Sequence, residues 1–170
     1  MNRENSQKVQ FMAQASMIAA LYTALTVALA PVSYGAVQFR ISEALCILPY
    51  FTPAAVPGLF LGCLISNGVG AAMGTTVVLD MIFGSLATLI GAAGSYALRR
   101  NRWLVCIPPI AANTIIIPWV LRYAYGSPDM IPYMMLTVGI GEVLAVGVLG
   151  NILLAMLSRY SGRIFGRMAV

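Results

Sequence analysis

Five polar side chains stand in strongly apolar parts of the sequence and offer the chemistry of reversible ligand binding. They are one guanidinium, three carboxylates and one amide: Arg40, Glu43, Asp80, Glu142 and Asn113. A carboxylate accepts paired N–H donors or an ammonium group, whereas a guanidinium or an amide N–H donates to a carbonyl. Because charged residues make up only 9% of the chain, these groups predict a binding site more than a general surface charge.

Most of these residues also have a purely structural explanation. Arg40 and Glu43 are three residues apart on one helical face, and an ion pair between them at the membrane interface would explain both. Asp80 would be a favourable anion in the first turn of a helix. Asn113 follows the sequence PPIAA and could face either way.

Glu142 has the clearest case for contact with a ligand. The sequence TVGIGEVLAVGVLG surrounds it with small residues that leave space and supply no opposite charge, and an ionisable group inside a membrane needs a specific partner. Trp119 belongs to an aromatic group that an aromatic belt at the membrane interface would explain. Its ring could also stack on a planar ligand, so both roles stay open.

The elements that must position these residues are predicted to be six membrane-spanning helices. Hydrophobic residues make up 60% of the chain, well above the usual share in soluble proteins, and a spanning helix needs about 20 residues. On that scale residues 1–170 form a single all-α membrane domain. The helices are predicted near 11–30, 41–53, 54–73, 77–98, 103–121 and 132–157, with tails at 1–10 and 159–170.

Basic residues predict the orientation of these helices, because they concentrate in short cytoplasmic loops. They precede the first helix, lie between the fourth and fifth, and follow the sixth: Arg3, Lys8, Arg99, Arg100, Arg102, Arg159, Arg163 and Arg167. Both termini are therefore expected in the cytoplasm. The three carboxylates and Arg40 then fall in the outer half, which predicts an outward-opening polar pocket. The net charge of +5 follows from this topology, so no nucleic acid is expected as a partner.

The first predicted helix carries a strip of small side chains. Ser16, Ala20, Ala24 and Ala28 form one row at a spacing of four residues, with Ala15 and Ala19 beside it. Small residues at this spacing let two membrane helices approach closely. The strip could serve packing within the bundle, but its place on the first helix predicts docking of a partner protein.

Several classes of function lack the residues that they need. The chain contains no histidine, and Lys8 is its only lysine, so it has no phosphate-binding loop with which to hydrolyse ATP. The three cysteines lack the spacing and the histidines of a zinc site, and neither a G-x-S-x-G nor an H-E-x-x-H pattern occurs. We therefore expect a protein that is not an enzyme and that has no metal or cofactor.

Three stretches, VQFRISEALCILPYFTPAAVPGLFLGCLISN, LDMIFGSLATLIGA and GIGEVLAVGVLG, closely resemble the QueT family. The resemblance covers about residues 10 to 158. It implies the six-helix substrate-binding subunit, or S-component, of an energy-coupling factor importer. A transmembrane coupling subunit and two cytoplasmic ATPases on other chains would then supply the energy. The row of small residues resembles the surface by which such subunits dock.

The implied ligands are queuosine precursors or salvage products: 7-aminomethyl-7-deazaguanine, 7-cyano-7-deazaguanine or queuine. On this hypothesis Glu142 accepts the ring N–H and amino donors of the guanine edge, and Asp80 or Glu43 pairs with the aminomethyl cation. The carbonyl would contact Arg40 or Asn113, and Trp119 would stack on the ring. The alternatives are an S-component for a different vitamin or nucleobase, a stand-alone secondary transporter and a membrane enzyme.

Overall fold

The computed structural model describes residues 3–33 and 39–165, and these form an all-α membrane bundle of six helices. This confirms the predicted fold class. Residues 1–2 and 166–170 of the predicted tails, Arg167 included, lie outside the described residues. The helices are α1 (Arg3–Ala28), a 3₁₀ helix (Ile41–Tyr50), α2 (Ala55–Ala72), α3 (Val78–Ala97), α4 (Ile107–Tyr123) and α5 (Ile131–Ser158), with short helical turns at Ala30–Ser33 and Ser161–Ile164.

Four of the helices within the described ranges are long and apolar enough to cross a membrane: Glu4–Ala28, Ala55–Ala72, Val78–Ala97 and Ile131–Ser158. At 26 residues, α1 is about 39 Å long at 1.5 Å per residue, which exceeds a hydrocarbon core of about 30 Å. The helix is therefore longer than a perpendicular crossing of that core requires.

Glycines set the close contacts between α1 and α2. A Cβ on Gly58 would lie 2.7 Å from the backbone oxygen of Ala15, and one on Gly62 would lie 2.7 Å from Cβ of Tyr22. The residue numbers of the contacts increase along both helices, so α1 and α2 run in the same direction. The absence of a side chain at these positions allows the close approach.

The 3₁₀ helix differs most from the predicted segments. It ends at Tyr50, where the sequence predicted a helix to residue 53. At about 2.0 Å per residue its ten residues cover roughly 20 Å, which is less than a hydrocarbon core. Pro49 lies inside it and lacks the N–H that a helical hydrogen bond needs. Residues 42–49 are all buried, so this helix is a central element of the bundle.

Helix α5 also departs from α-helical geometry. Residues Val143–Gly150 form a π-helical segment directly after Glu142. This segment packs against the 3₁₀ helix, and a Cβ on Gly150 would lie 2.9 Å from Cγ2 of Ile47. Two irregular helices therefore contact each other beside Glu142, and π-helical turns are frequent at functional sites.

The bundle has two different halves along its length. One half is an apolar core that closes where the Phe51 and Phe165 rings stack, with their centroids 5.2 Å apart. Gln14 hydrogen-bonds Thr52 and the backbone oxygen of Phe165 at this end. The other half holds the five polar residues that the sequence analysis selected. We call the region that contains the Phe51–Phe165 stack the apolar half.

Candidate ligand-binding site

The structure brings the five polar residues together inside the bundle. Arg40 directly precedes the 3₁₀ helix and Glu43 lies in its first turn, while Asp80, Asn113 and Glu142 come from α3, α4 and α5. All five side chains are buried, from Asp80 with 0% of its surface exposed to Glu142 with 8%. We call these five residues the charged cluster.

Arg40 forms an ion pair with Asp80, with 3.0 Å between Nη2 and Oδ2. An ion pair with Glu43, three residues away, was one explanation that the sequence left open for Arg40, whereas Asp80 lies 40 residues further on. Tyr125, in the loop after α4, donates its hydroxyl to the same Asp80 oxygen at 3.2 Å. Burial and the nearby carboxylate raise the pKa of Tyr125 to about 12, so this hydroxyl stays protonated and can donate. The other Asp80 oxygen, Oδ1, has no hydrogen-bond partner among the described residues.

Glu43 accepts hydrogen bonds at both carboxylate oxygens from uncharged donors. The hydroxyl of Tyr22, on α1, donates to Oε1. The thiol of Cys46, one turn further along the 3₁₀ helix, donates to Oε2 at 2.9 Å. Tyr22 and Cys46 are both completely buried, so this carboxylate is fixed from two elements.

Glu142 is satisfied at only one oxygen. The amide Nδ2 of Asn113 donates to its Oε1 at 3.0 Å, across the contact between α4 and α5. The second oxygen, Oε2, is buried and has no hydrogen-bond partner within residues 3–33 and 39–165. An unsatisfied buried oxygen of this kind costs free energy unless a partner reaches it. Glu142 therefore has one acceptor oxygen available to a bound molecule.

A small cavity lies at the centre of the charged cluster. Its volume is about 10 Å³, which is roughly the space that the centre of one water molecule needs. A bicyclic ligand requires far more room, so the residues around this cavity must rearrange before such a ligand can bind. The lining residues are Arg40, Glu43, Asn113, Ile117, Val138 and Glu142.

Trp119 lies apart from this cavity. Its side chain is 48% exposed and stacks on Tyr123 at a centroid distance of 6.1 Å. It lines an apolar groove of about 540 Å³ between α3 and α4, together with residues such as Phe83 and Ile115. The structure therefore brings five of the six predicted ligand-binding residues together and leaves the sixth on the outer surface of the bundle.

Three residues of the site were not selected from the sequence: Tyr22, Cys46 and Tyr125. A signal existed for Tyr22, because it lies in the middle of an apolar helix, where a tyrosine hydroxyl needs a hydrogen-bond partner. Cys46 looks like a small apolar residue in the sequence. Tyr125 stands among aromatic residues that an interface belt explains, so its contact with Asp80 depends on the fold.

The small-residue row of α1 divides into two faces in the structure. Ala15 and Ala19 are buried against α2, where the glycine contacts lie. The other four residues are exposed: Ser16, Ala20, Ala24 and Ala28. The first three of these four line an open groove of about 630 Å³ between α1 and α2.

Comparison with known proteins identifies the family of the chain. Residues 12–159 match the model of a family described as the QueT transporter. A protein of Lactococcus lactis subsp. cremoris (strain MG1363), named queuosine precursor transporter QueT, is 36% identical over 77 residues. This match covers 44% of the present chain and 43% of the relative, so it spans less than half of the relative's length. No solved structure matches the chain significantly. Because the family match covers most of the sequence, the chain belongs to the QueT transporter family.

Proposed function

We propose that the chain is the substrate-binding subunit of an energy-coupling factor importer and that it captures a queuosine precursor at the charged cluster. The substrate would be 7-aminomethyl-7-deazaguanine, 7-cyano-7-deazaguanine or queuine. The name of the Lactococcus relative supports this substrate class. The observation that carries the proposal for the site is the Glu142 oxygen that is buried beside the cavity and has no hydrogen-bond partner among the residues that the structure describes.

The hydrogen-bonding groups of a deazaguanine match this cluster. Its ring N–H and exocyclic amino group are adjacent donors, and a carboxylate can accept such a pair with two oxygens. Glu142 has one open oxygen, and its other oxygen now accepts from Asn113. On entry of the ligand, Asn113 or Arg40 would donate to the ring carbonyl.

The charges of the cluster favour a ligand that brings a cation. Three carboxylates share one guanidinium, and Arg40 already pairs with Asp80. An aminomethyl group, which is an ammonium at neutral pH, would pair with Glu43 or Asp80. A second cation in this buried site would reduce the cost of holding several carboxylates away from water.

Energy would come from other chains. We propose six spans with both termini in the cytoplasm, as the basic residues indicate, and no enzymatic activity in this chain. The exposed row on α1 would dock the transmembrane coupling subunit, which works with two cytoplasmic ATPases. The groove beside that row, between α1 and α2, offers a smooth surface for a partner helix.

The docking proposal is tested by enlarging one residue of the row. Ala20→Leu should lower the yield of the coupling subunit that copurifies with the chain by at least about tenfold, because a bulky side chain prevents close helix approach. Ligand binding by the isolated chain should stay unchanged, since Ala20 is exposed. Ala93→Leu makes the same change at an exposed position of α3 and serves as the control. Equal copurification of both variants would remove the row from the interface.

The substrate proposal is tested by isothermal titration of the purified chain with the three deazapurines, with guanine, riboflavin and biotin as controls. We expect submicromolar binding of at least one deazapurine, on the order of −8 kcal/mol or more favourable. Glu142→Gln should weaken that binding by about 2–5 kcal/mol, because it removes one partner of a buried charged contact. Glu4→Gln makes the same chemical change at an exposed position of α1 and should have no effect.

Other results would separate the alternatives. Binding of riboflavin or biotin in place of every deazapurine would overturn the substrate class. Uptake by the chain alone in liposomes, driven by an ion gradient, would overturn the subunit role and favour a secondary transporter. Unchanged affinity in Glu142→Gln, with tight binding by the wild type, would contradict the assignment of Glu142.

A further inference from the structure

Tyr22 connects α1 to the charged cluster, and its side chain is closely packed on all sides. Its ring is completely buried, and its Cβ faces Gly62, where an added Cβ would lie only 2.7 Å away. One turn further along α1, the hydroxyl of Thr26 hydrogen-bonds the hydroxyl of Ser42 at 2.7 Å. Two side-chain contacts, to Glu43 and to its neighbour Ser42, therefore fix α1 to the start of the 3₁₀ helix.

The donors to Glu43 set it apart from the other two carboxylates. Asp80 pairs with the guanidinium of Arg40, and Glu142 keeps an acceptor oxygen that no group in the described part of the chain contacts by a hydrogen bond. Glu43 instead receives hydroxyl and thiol hydrogen bonds at its two oxygens. Uncharged donors orient a carboxylate and stabilise its negative charge without cancelling it. The carboxylate of Glu43 is thus held in a fixed place beside the cavity, which Arg40 also lines.

We infer that the Tyr22 hydroxyl is a positioning group that holds Glu43 as the fixed negative charge of the site, and that it thereby sets the preference for cationic over neutral ligands. The inference rests on the proposed function, because it concerns how the same site selects among related substrates. Tyr22 acts here through Glu43 and need not contact the ligand.

Two ligands with one ring system measure this preference directly. 7-Aminomethyl-7-deazaguanine carries a cation and 7-cyano-7-deazaguanine carries none, so the ratio of their affinities reports the charge at the site. Tyr22→Phe removes a single hydroxyl and keeps the ring. We expect this variant to lower the affinity ratio by at least about tenfold, which is the usual scale for a hydrogen bond to a charged group.

A double-mutant cycle tests whether Tyr22 acts through Glu43. Glu43→Gln should lower the ratio at least as much as Tyr22→Phe, and the double variant should match Glu43→Gln, because two changes on one path are not additive. Tyr50→Phe removes a hydroxyl from the last residue of the 3₁₀ helix, away from the cluster, and should leave the ratio unchanged. Cys46→Ala removes the second donor to Glu43 and should also lower the ratio. This variant tests the role of Glu43 if Tyr22→Phe does not fold.

The outcomes distinguish the inference from the function on which it rests. Wild-type chain that binds neither deazapurine would overturn both. Wild-type chain that binds one of them, with Tyr22→Phe weakening both ligands equally, would overturn only the inference, since a purely structural tyrosine changes no ratio. Additive effects of Tyr22→Phe and Glu43→Gln would overturn it as well.

Discussion

The charged cluster and the apolar half of the same bundle are held together in different ways. In the cluster, side chains from five helices and from the segments beside them meet through named hydrogen bonds and one ion pair. In the apolar half, apolar contacts such as the Phe51–Phe165 stack predominate, and Gln14 adds hydrogen bonds at its end. Lipid tails are as apolar as these side chains, so packing and not removal from water favours this half. We therefore expect substitutions in the apolar half to lower the free energy of unfolding moderately, and the loss of a charged partner in the cluster to lower it strongly.

The largest expected effect comes from removing the one cation of the cluster. Arg40→Met leaves Asp80 buried without its counter-charge and should lower the free energy of unfolding by about 3–5 kcal/mol. Thermal unfolding of the purified protein in detergent measures the loss. Arg159→Met removes an exposed arginine and should have little effect. Equal stability of the two variants would show that the ion pair contributes little to the fold.

A smaller effect is expected where α1 and α2 approach in the apolar half. Gly58→Ala forces a methyl group against the Ala15 backbone oxygen and should cost about 1–3 kcal/mol of stability through overpacking. The affinity of the folded protein for its ligand should not change. Gly68→Ala on the same helix is the control, because the nearest atom to its added methyl is the Met81 sulfur at 3.5 Å. If Gly58→Ala lowered the binding free energy more than the free energy of unfolding, packing in the apolar half would also determine ligand binding.

The smallest effect is expected at Trp119. Because its ring lies outside the cavity, Trp119→Leu should change stability by no more than about 0.5 kcal/mol and ligand affinity by less than about twofold. Titration with a deazapurine that the wild-type chain binds checks this, with Trp103→Leu as the control at the other exposed tryptophan. A tenfold loss at Trp119 alone would show that its ring turns into the site when the ligand enters.

The sequence predicted the helical membrane fold and the residues of the cluster for a physical reason. Long apolar runs have one stable form in a bilayer, and each buried charge within them requires a partner. The sequence could not say which partners meet. Arg40 has an acid three residues away, yet the fold pairs it with Asp80. That choice depends on how α3 packs against the 3₁₀ helix, which residue spacing does not encode.

The sequence also could not predict the type of each helix or its rotation about its own axis. The 3₁₀ helix Ile41–Tyr50 and the π segment Val143–Gly150 pack against each other, and residue spacing predicted neither helix type. The outward direction of Trp119 depends on the rotation of α4, since an aromatic ring is compatible with either a belt or a pocket. Tyr22 was missed because a single tyrosine among alanines and leucines does not show what its hydroxyl meets.

The order of the cluster residues along the chain bears on how the protein enters the membrane during synthesis. Arg40 precedes Asp80 by 40 residues, and Asn113 precedes Glu142 by 29. The third carboxylate likewise follows the tyrosine of α1 that donates to it. An isolated acid at the centre of a bilayer costs about 2.5–3.5 kcal/mol on insertion scales. Each carboxylate of the charged cluster thus arrives after a donor that is already in place, and the contact offsets part of the insertion cost as each new helix enters.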